Sequence, residues 1–466
     1  MANVMVWKDD PASSLGLVEV PVPNLHRAPY ALRIDKPTPP PAPQIYDKGT
    51  PEFRYWAAAA ALARAATFWG ELVPAGVTWE PGATLPVVLD EGEDLNAFYD
   101  RKALNFFHGR GADGATVFSG ESPDILCHEL GHGILDSLRP ELFNTASLEV
   151  PAFHEAFADI SALLTALQVP ELREAILKQT RGHLDRNSDW SRLAEQLGSA
   201  IRAQAPDAVD RDCLRNAANS FNYQDPETLD ASSPAATLSQ EAHSFSRAFS
   251  GAFLEAFAGM VAVKSADPTS DDLLAVSKRA GSLLVAAVQA APIVPEWYSQ
   301  VAAALLAADR QSGGTFEVPL KSAFVRRGIL STQNAVAIGA LQAGSAAIAA
   351  AAPVTALKDM PLQAIDGAAY GLGNVPLFVH VANQTRRIAA LASGRGGATV
   401  TPSSSDHAAR SFIDHLLRLG RIDFGSHGIQ GAFVVHPRAR KTHRIEQLAN
   451  GALALRRILF YCGHGE

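Results

Sequence analysis

Apolar positions recur at a helical period through most of residues 53–311, interrupted early by short runs of strand character. FRYWAAAAALARAATFWGEL (53–72) predicts a long helix with a broad apolar face. LPVVLDE (85–91) predicts a buried strand, and LNAFYD (95–100) and ALNFFHG (103–109) predict short strands around a turn at Asp100-Arg101. SPDILCHELGHGILDSL (122–138) predicts a helix with Ser122 as N-cap, Pro123 at the first helical position and Asp124 at the positive helix end. PAFHEAFADISALLTAL (151–167) starts a second helix. The stretches 239–263, 271–290 and 295–311 continue a helical region that ends within 317–330.

The flanks read differently. Residues 1–45 are Pro-rich and predict an irregular leader, stiffened by PTPPPAP at 37–43. Residues 331–466 predict a separate α+β module with no assigned task. It holds an Ala-rich helix (335–352), a Gly/Ser-rich loop (393–405), a helix at 406–420 and strands at 431–436 and 442–461. The Ala-rich run has the length of a membrane span. Its alanines, with Gln342 and Ser345 among them, favour a packed helix instead, so no membrane partner is expected. The predicted organisation is α+β: the leader (1–45), an N-terminal lobe (46–138), a mostly helical lobe (139–330) and the C-terminal module (331–466).

With 466 residues and 47% hydrophobic composition, the chain can build a large core over two or three domains. A net charge of −8 speaks against a nucleic-acid partner, which calls for a basic face. Three cysteines make no disulfide framework and fit a reducing compartment. MANVMVWKDDPASS lacks the basic and apolar regions of a signal peptide. A cytoplasmic location is therefore expected, with secretion by a non-classical route as the alternative.

The chemistry concentrates in HELGH at 128–132. On a helix, positions i and i+4 share a face, so His128 and His132 can bind one metal through neutral imidazoles. Glu129, one step round, can reach a water acidified by that metal without being a ligand. HEAFADI (154–160) supplies Glu155 as a third, oxygen ligand, and His₂Glu with an open fourth position is a catalytic zinc set. Asp159, four residues on, is placed to accept from the far nitrogen of His128 and fix its tautomer. Phe153, Ala156, Phe157 and Ile160 make this helix apolar, and carboxylates facing a core need partners. CGHGE at 462–466 mixes ligand types but lacks the four spaced ligands of a closed site.

With HExxH followed by a downstream ExxxD helix, the sequence resembles the thermolysin-like zinc metallopeptidases, which are gluzincins. Asn96-Ala97-Phe98 is similar to the family's edge strand, which pairs with substrate backbone. LRNAANSFNYQDP (214–226) resembles the stretch carrying the substrate-carbonyl arginine, here Arg215. His243 follows at the spacing of the family's catalytic histidine, and Ser246 keeps that spacing too. The resemblance covers roughly residues 53–330. It implies a two-lobed zincin fold, β-rich then mostly helical, with the active-site cleft between the lobes and the extra module behind. It also implies a zinc endopeptidase with Glu129 as general base and His243 and Arg215 as oxyanion and substrate-holding groups. Ile125 and Leu214 resemble positions lining the apolar pocket after the scissile bond, so a hydrophobic residue there is expected.

Departures are specific. Phe143 stands where the family has a second oxyanion donor, a Tyr; His154 replaces a supporting Asn; Leu238 replaces the Asp that orients the catalytic histidine, with Glu241 as a substitute not placed by the sequence. Of the family's calcium-binding acids only Asp124 is matched, and no calcium is expected. Phe143 and Leu238 also support an alternative, a catalytically weak or inactive peptide-binding protein. Retention of Glu129 argues against it, since a structural site needs no base. An aminopeptidase would need a Gly-x-Met-Glu-Asn signature, and none occurs. The expected partner is a peptide or protein substrate.

Overall fold

A computed structural model describes residues 2–331, 362–381, 404–427 and 439–461. The Ala-rich run at 335–352, the loop at 393–403 and the strand expected at 431–436 lie outside the described residues. The described chain is a mixed α+β fold.

Three strands lie between Asn3 and Ile34, which corrects the expectation of an irregular leader there, whereas the Pro-rich residues 35–45 form no helix or strand. β1 (Asn3–Trp7) and β2 (Leu17–Pro21) form an antiparallel hairpin, and β3 (Ala31–Ile34) joins the main sheet. Tyr30, Leu32 and Ile34 alternate into the core, which anchors a strand too short for prolines on either side to prevent. The hairpin is tied inward by Asp10, whose carboxylate accepts from the Ser122 hydroxyl at 2.6 Å and from the backbone N–H of Gln196 at 2.9 Å. Ser122 thus precedes its helix without capping it by its side chain.

α1 (Pro51–Gly70) begins with Thr50 accepting from the Phe53 N–H, and its apolar face is buried against the rest of the core. The main sheet runs in the order β16-β5-β6-β4-β3, with β4 (Thr84–Val88), β5 (Ala97–Tyr99), β6 (Leu104–Phe106) and β16 (Phe460–Tyr461). A small hairpin, β7 (His108–Arg110) and β8 (Thr116–Phe118), precedes α2 (Pro123–Leu138). α3 (Glu149–Ala166) crosses α2 closely. A Cβ on Gly131 would lie 2.8 Å from both the Ala158 Cα and the Ser161 Cβ, so the HELGH glycine permits this approach. Ser161 Oγ bridges the pair, donating to the Cys127 carbonyl at 2.9 Å and accepting from Trp69 Nε1.

Beyond α3 come α4 (Pro170–Thr180), β9 (Arg192–Leu193), α5 (Glu195–Gln204), β10 (Arg215–Asn216), α6 (Ala242–Lys264), α7 (Ser270–Ala290), α8 (Trp297–Gln311) and α9 (Glu317–Arg326). α7 is long and apolar enough to cross a bilayer, and about half of that stretch, 56%, is buried inside the protein.

The second sheet has the order β11-β12-β15-β14-β13, built from β11 (Leu362–Ile365), β12 (Leu377–His380), β13 (Ile422–Asp423), β14 (His443–Gln447) and β15 (Leu453–Arg457). α10 (Ser405–Arg418) packs Ala409, Phe412, Ile413 and Leu416 against Leu377, Leu453 and Leu455 in a core of its own. The single strand expected over 442–461 is three strands, because Leu448 and Ala452 close a turn and the chain then leaves the sheet. The last of them, β16, crosses to the first sheet, so the module is not separate from the chain before it.

Candidate metal centre

α2 presents His128 and His132 one turn apart, with ring centroids 4.9 Å apart and planes at 88°. α3 brings Glu155 against both: its Oε2 lies 3.3 Å from His128 Nε2 and its Oε1 3.7 Å from His132 Nε2. One donor atom from each residue falls within 4.8 Å of the others, and among the described residues this is the one such group. Donors about 2.0–2.2 Å from a tetrahedral ion lie roughly 3.3–3.6 Å apart, so the 3.3 and 3.7 Å separations of the Glu155 oxygens from the two imidazoles are compatible with a small metal ion held by these three residues.

The charges around the three residues are arranged by burial and pairing. Burial penalises the charged form of His132 and takes its pKa down to about 3, leaving a neutral ring. Burial acts on His128 in the same sense, but its hydrogen bonds to Asp159 and Glu155 outweigh it and hold the pKa at about 9. Burial would raise Glu155; His243 and His132 beside it instead hold the carboxylate at about 2. Asp159 is likewise held below the ordinary range, against burial, by Arg215 and His128.

Asp159 Oδ1 lies 3.0 Å from His128 Nδ1, the nitrogen turned away from the cluster. Arg215 donates from Nη2 to the same oxygen at 2.8 Å and from Nε to both carboxylate oxygens at 3.2 Å. Arg215 therefore fixes the group that fixes the ring. It also lines a small cavity with Ala97, Ile125, Glu129 and Leu214. Glu129 is wholly buried beside His128. Asn96 is buried too; its carbonyl accepts from Ser119 Oγ at 2.7 Å, and its Oδ1 has no hydrogen-bond partner among the described residues.

His243, at the start of α6, turns its Nε2 to within 3.3 Å of Glu155 Oε2. Its other nitrogen meets Glu241 Oε1 at 2.7 Å. Burial lowers the His243 pKa, but Glu155 and Glu241 outweigh this and raise it, favouring the imidazolium. Glu241 also caps α6, accepting from the Ser244 N–H at 3.0 Å. It does the orienting that Leu238, an apolar buried residue, cannot. Ser246 faces away, its hydroxyl donating to the His243 carbonyl.

Three neighbours have no counterpart in the sequence reading. Phe460 of β16 stacks on His132 (5.0 Å, 9°) and on His154 (4.1 Å, 24°). Arg457 lies over Phe460 at 4.3 Å and donates to the Phe143 carbonyl at 2.9 Å. Tyr461 pairs with Phe98, so β5 is not an edge strand. Phe143 itself is buried between the Tyr99 and Phe460 rings with Arg101 over its face, a packing role. His154 is fully buried, and neither ring nitrogen has a hydrogen-bond partner among the described residues. A comparison with protein-family models and with curated proteins finds none that matches this chain.

Proposed function

We propose that this protein is a zinc-dependent endopeptidase of the thermolysin-like type, acting in a cleft between a strand-bearing lobe and a helical lobe. The observation that carries the reading is the buried grouping of His128, His132 and Glu155, whose donor atoms lie within 4.8 Å of one another, with Glu129 next to it. His128, His132 and Glu155 would hold the ion. When bound, zinc supplies Lewis acidity, polarising a carbonyl and acidifying water.

The chain's own residues do the rest. The Glu129 carboxylate takes the proton of the attacking water and passes it to the leaving amine. His243, charged and oriented by Glu241, faces the place where negative charge develops on the carbonyl oxygen. Asp159 keeps the His128 ring in one tautomer, and Arg215 holds Asp159 while lining the substrate cavity. The Asn96 oxygen offers an acceptor for a peptide N–H. Ile125 and Leu214 favour a hydrophobic residue after the scissile bond. The buried Phe143, which cannot donate to an oxyanion, favours the second reading, a weak or inactive peptide binder.

Glu129→Gln separates the two. On the endopeptidase reading it keeps stoichiometric zinc and loses peptide hydrolysis by several orders of magnitude. Wild-type protein that binds zinc and a peptide but cleaves no member of a peptide library would leave the binding reading in its place.

A further inference from the structure

We propose that β16 is a built-in inhibitory strand: the chain's own Phe460–Tyr461 segment occupies the β5 edge and the space over His132 that a peptide substrate must take. The inference rests on the cleft assigned above as a peptide site.

β5 has two sides. β6 pairs with one, Ala97 opposite Phe106, and β16 takes the other, antiparallel, with Phe460 opposite Tyr99 and Tyr461 opposite Phe98. An extended peptide binds a sheet by adding at a free edge, where backbone bonds give affinity and alternate side chains enter pockets. β16 does both. Its backbone covers the edge at Phe98 and Tyr99, next to Ala97, and the Phe460 ring, 2% exposed, packs against both His132 and His154, whose own rings lie 5.8 Å apart. The ring of a candidate metal ligand is thereby covered by an aromatic side chain of the same chain. His128 is 5% exposed, and Glu129 and His132 are fully buried. A cleft ready for substrate would leave these open.

The strand is held from both banks. Arg440, in the module, pairs with Asp94 at 3.0 Å and lies over Phe98 and Tyr461. On the helical side, His415 Nδ1 meets Gln240 Oε1 at 3.1 Å, one residue before the cap of α6. The Ala146 N–H donates to the His380 carbonyl at 2.8 Å, and the Arg457 N–H to Asn144 Oδ1 at 3.0 Å. Ile458 N–H bonds the Thr442 carbonyl, so the strand leaves the module at a fixed point. Tethering presents it at an effective concentration on the order of millimolar or above, enough to outcompete most free peptides. A strand that only completed a sheet would need neither the ring over His132 nor the anchors on the far bank.

The test compares the full chain with a variant ending at Ile458, which keeps β15 and Arg457. Two measurements are made on zinc-loaded protein: cleavage of an internally quenched peptide, and binding of a fluorescein-labelled hexapeptide of the sequence Arg456–Tyr461. The shortened variant is expected to gain at least tenfold in kcat/KM and to bind the hexapeptide, which the full chain does not. Added hexapeptide should return the variant toward the full chain's rate, and a scrambled peptide should not. If the variant alone binds the hexapeptide while neither form cleaves, occlusion of the cleft stands and the peptidase reading fails. Equal cleavage and equal hexapeptide binding by the two forms overturn the inference. Should the shortened variant unfold by circular dichroism, Phe460→Ala replaces it. That substitution is expected to raise kcat/KM severalfold, and an unchanged or lower value overturns the inference.

Discussion

The two five-stranded sheets differ in where their last strand comes from. The second sheet, β11-β12-β15-β14-β13, is built wholly within the C-terminal module and has its own core under α10. The first, β16-β5-β6-β4-β3, takes its outermost strand from the far end of the chain, some 360 residues after β5. A module that merely followed the rest of the chain would pair its strands internally. One that sends a strand back is coupled to the site it covers, and so the two halves of the candidate site answer to different parts of the chain. The helical half, α2 with α3 and α6, holds the metal-ligand set and its supporting charges. The strand half, β5 with β16, controls what reaches it.

Substitutions in the helical half have the largest expected effects. His243→Ala removes the charged group that faces Glu155. Loss of one oxyanion donor costs about 2.7–4 kcal/mol, so kcat/KM should fall roughly a hundred- to a thousandfold with zinc content unchanged. Steady-state kinetics beside elemental analysis measures both; a variant that loses its zinc would make His243 a metal-holding residue instead. Asp159→Ala should weaken zinc affinity roughly ten- to a hundredfold, since it frees the His128 ring and strands Arg215. Competition against a chromophoric chelator reads this directly, and wild-type affinity would reduce Asp159 to a structural acid.

The smallest effect sharpens the account of charge. Metal-free, Glu155 is already ionised (pKa about 2) and His132 already neutral (about 3), whereas His128 is held at about 9. Below about pH 9, zinc must therefore displace the His128 proton. Apparent affinity should rise by up to about tenfold per pH unit from pH 6 to 9 and then level off. Because the folded-state pKa is raised, the ion pair with Asp159 favours the metal-free fold below pH 6.5 and that contribution fades as pH rises through 9. A pH-independent zinc affinity over this range would contradict the proton displacement.

Much of the helical half was legible because its signals are local. HELGH puts two imidazoles on one helix face, and HEAFAD puts two carboxylates on another. The sequence does not announce that Gly131 is the contact point that lets the two helices meet, since a helical glycine has no directional signal until its neighbour is known. Glu241 could not be placed because its reach to His243 depends on the cap backbone, which turns the chain between an acid and a histidine only two positions apart. β3 was hidden in a Pro-rich stretch, where composition outweighed four alternating residues. β16 falls inside the strand expected over 442–461, but its break from β15 and its partner left no trace: Phe460–Tyr461 has the pattern of any short strand, and its pairing with β5 is fixed by tertiary packing alone.

The central claim is that His128, His132 and Glu155 form one zinc site. Elemental analysis of purified wild-type protein and of His132→Ala, after loading with zinc and dialysis, tests it most directly. One zinc per chain is expected in the wild type and none retained at stoichiometric level in His132→Ala, with both proteins folded by circular dichroism. A wild-type chain that neither carries nor can be loaded with a transition metal, or a variant that keeps its zinc, would contradict it.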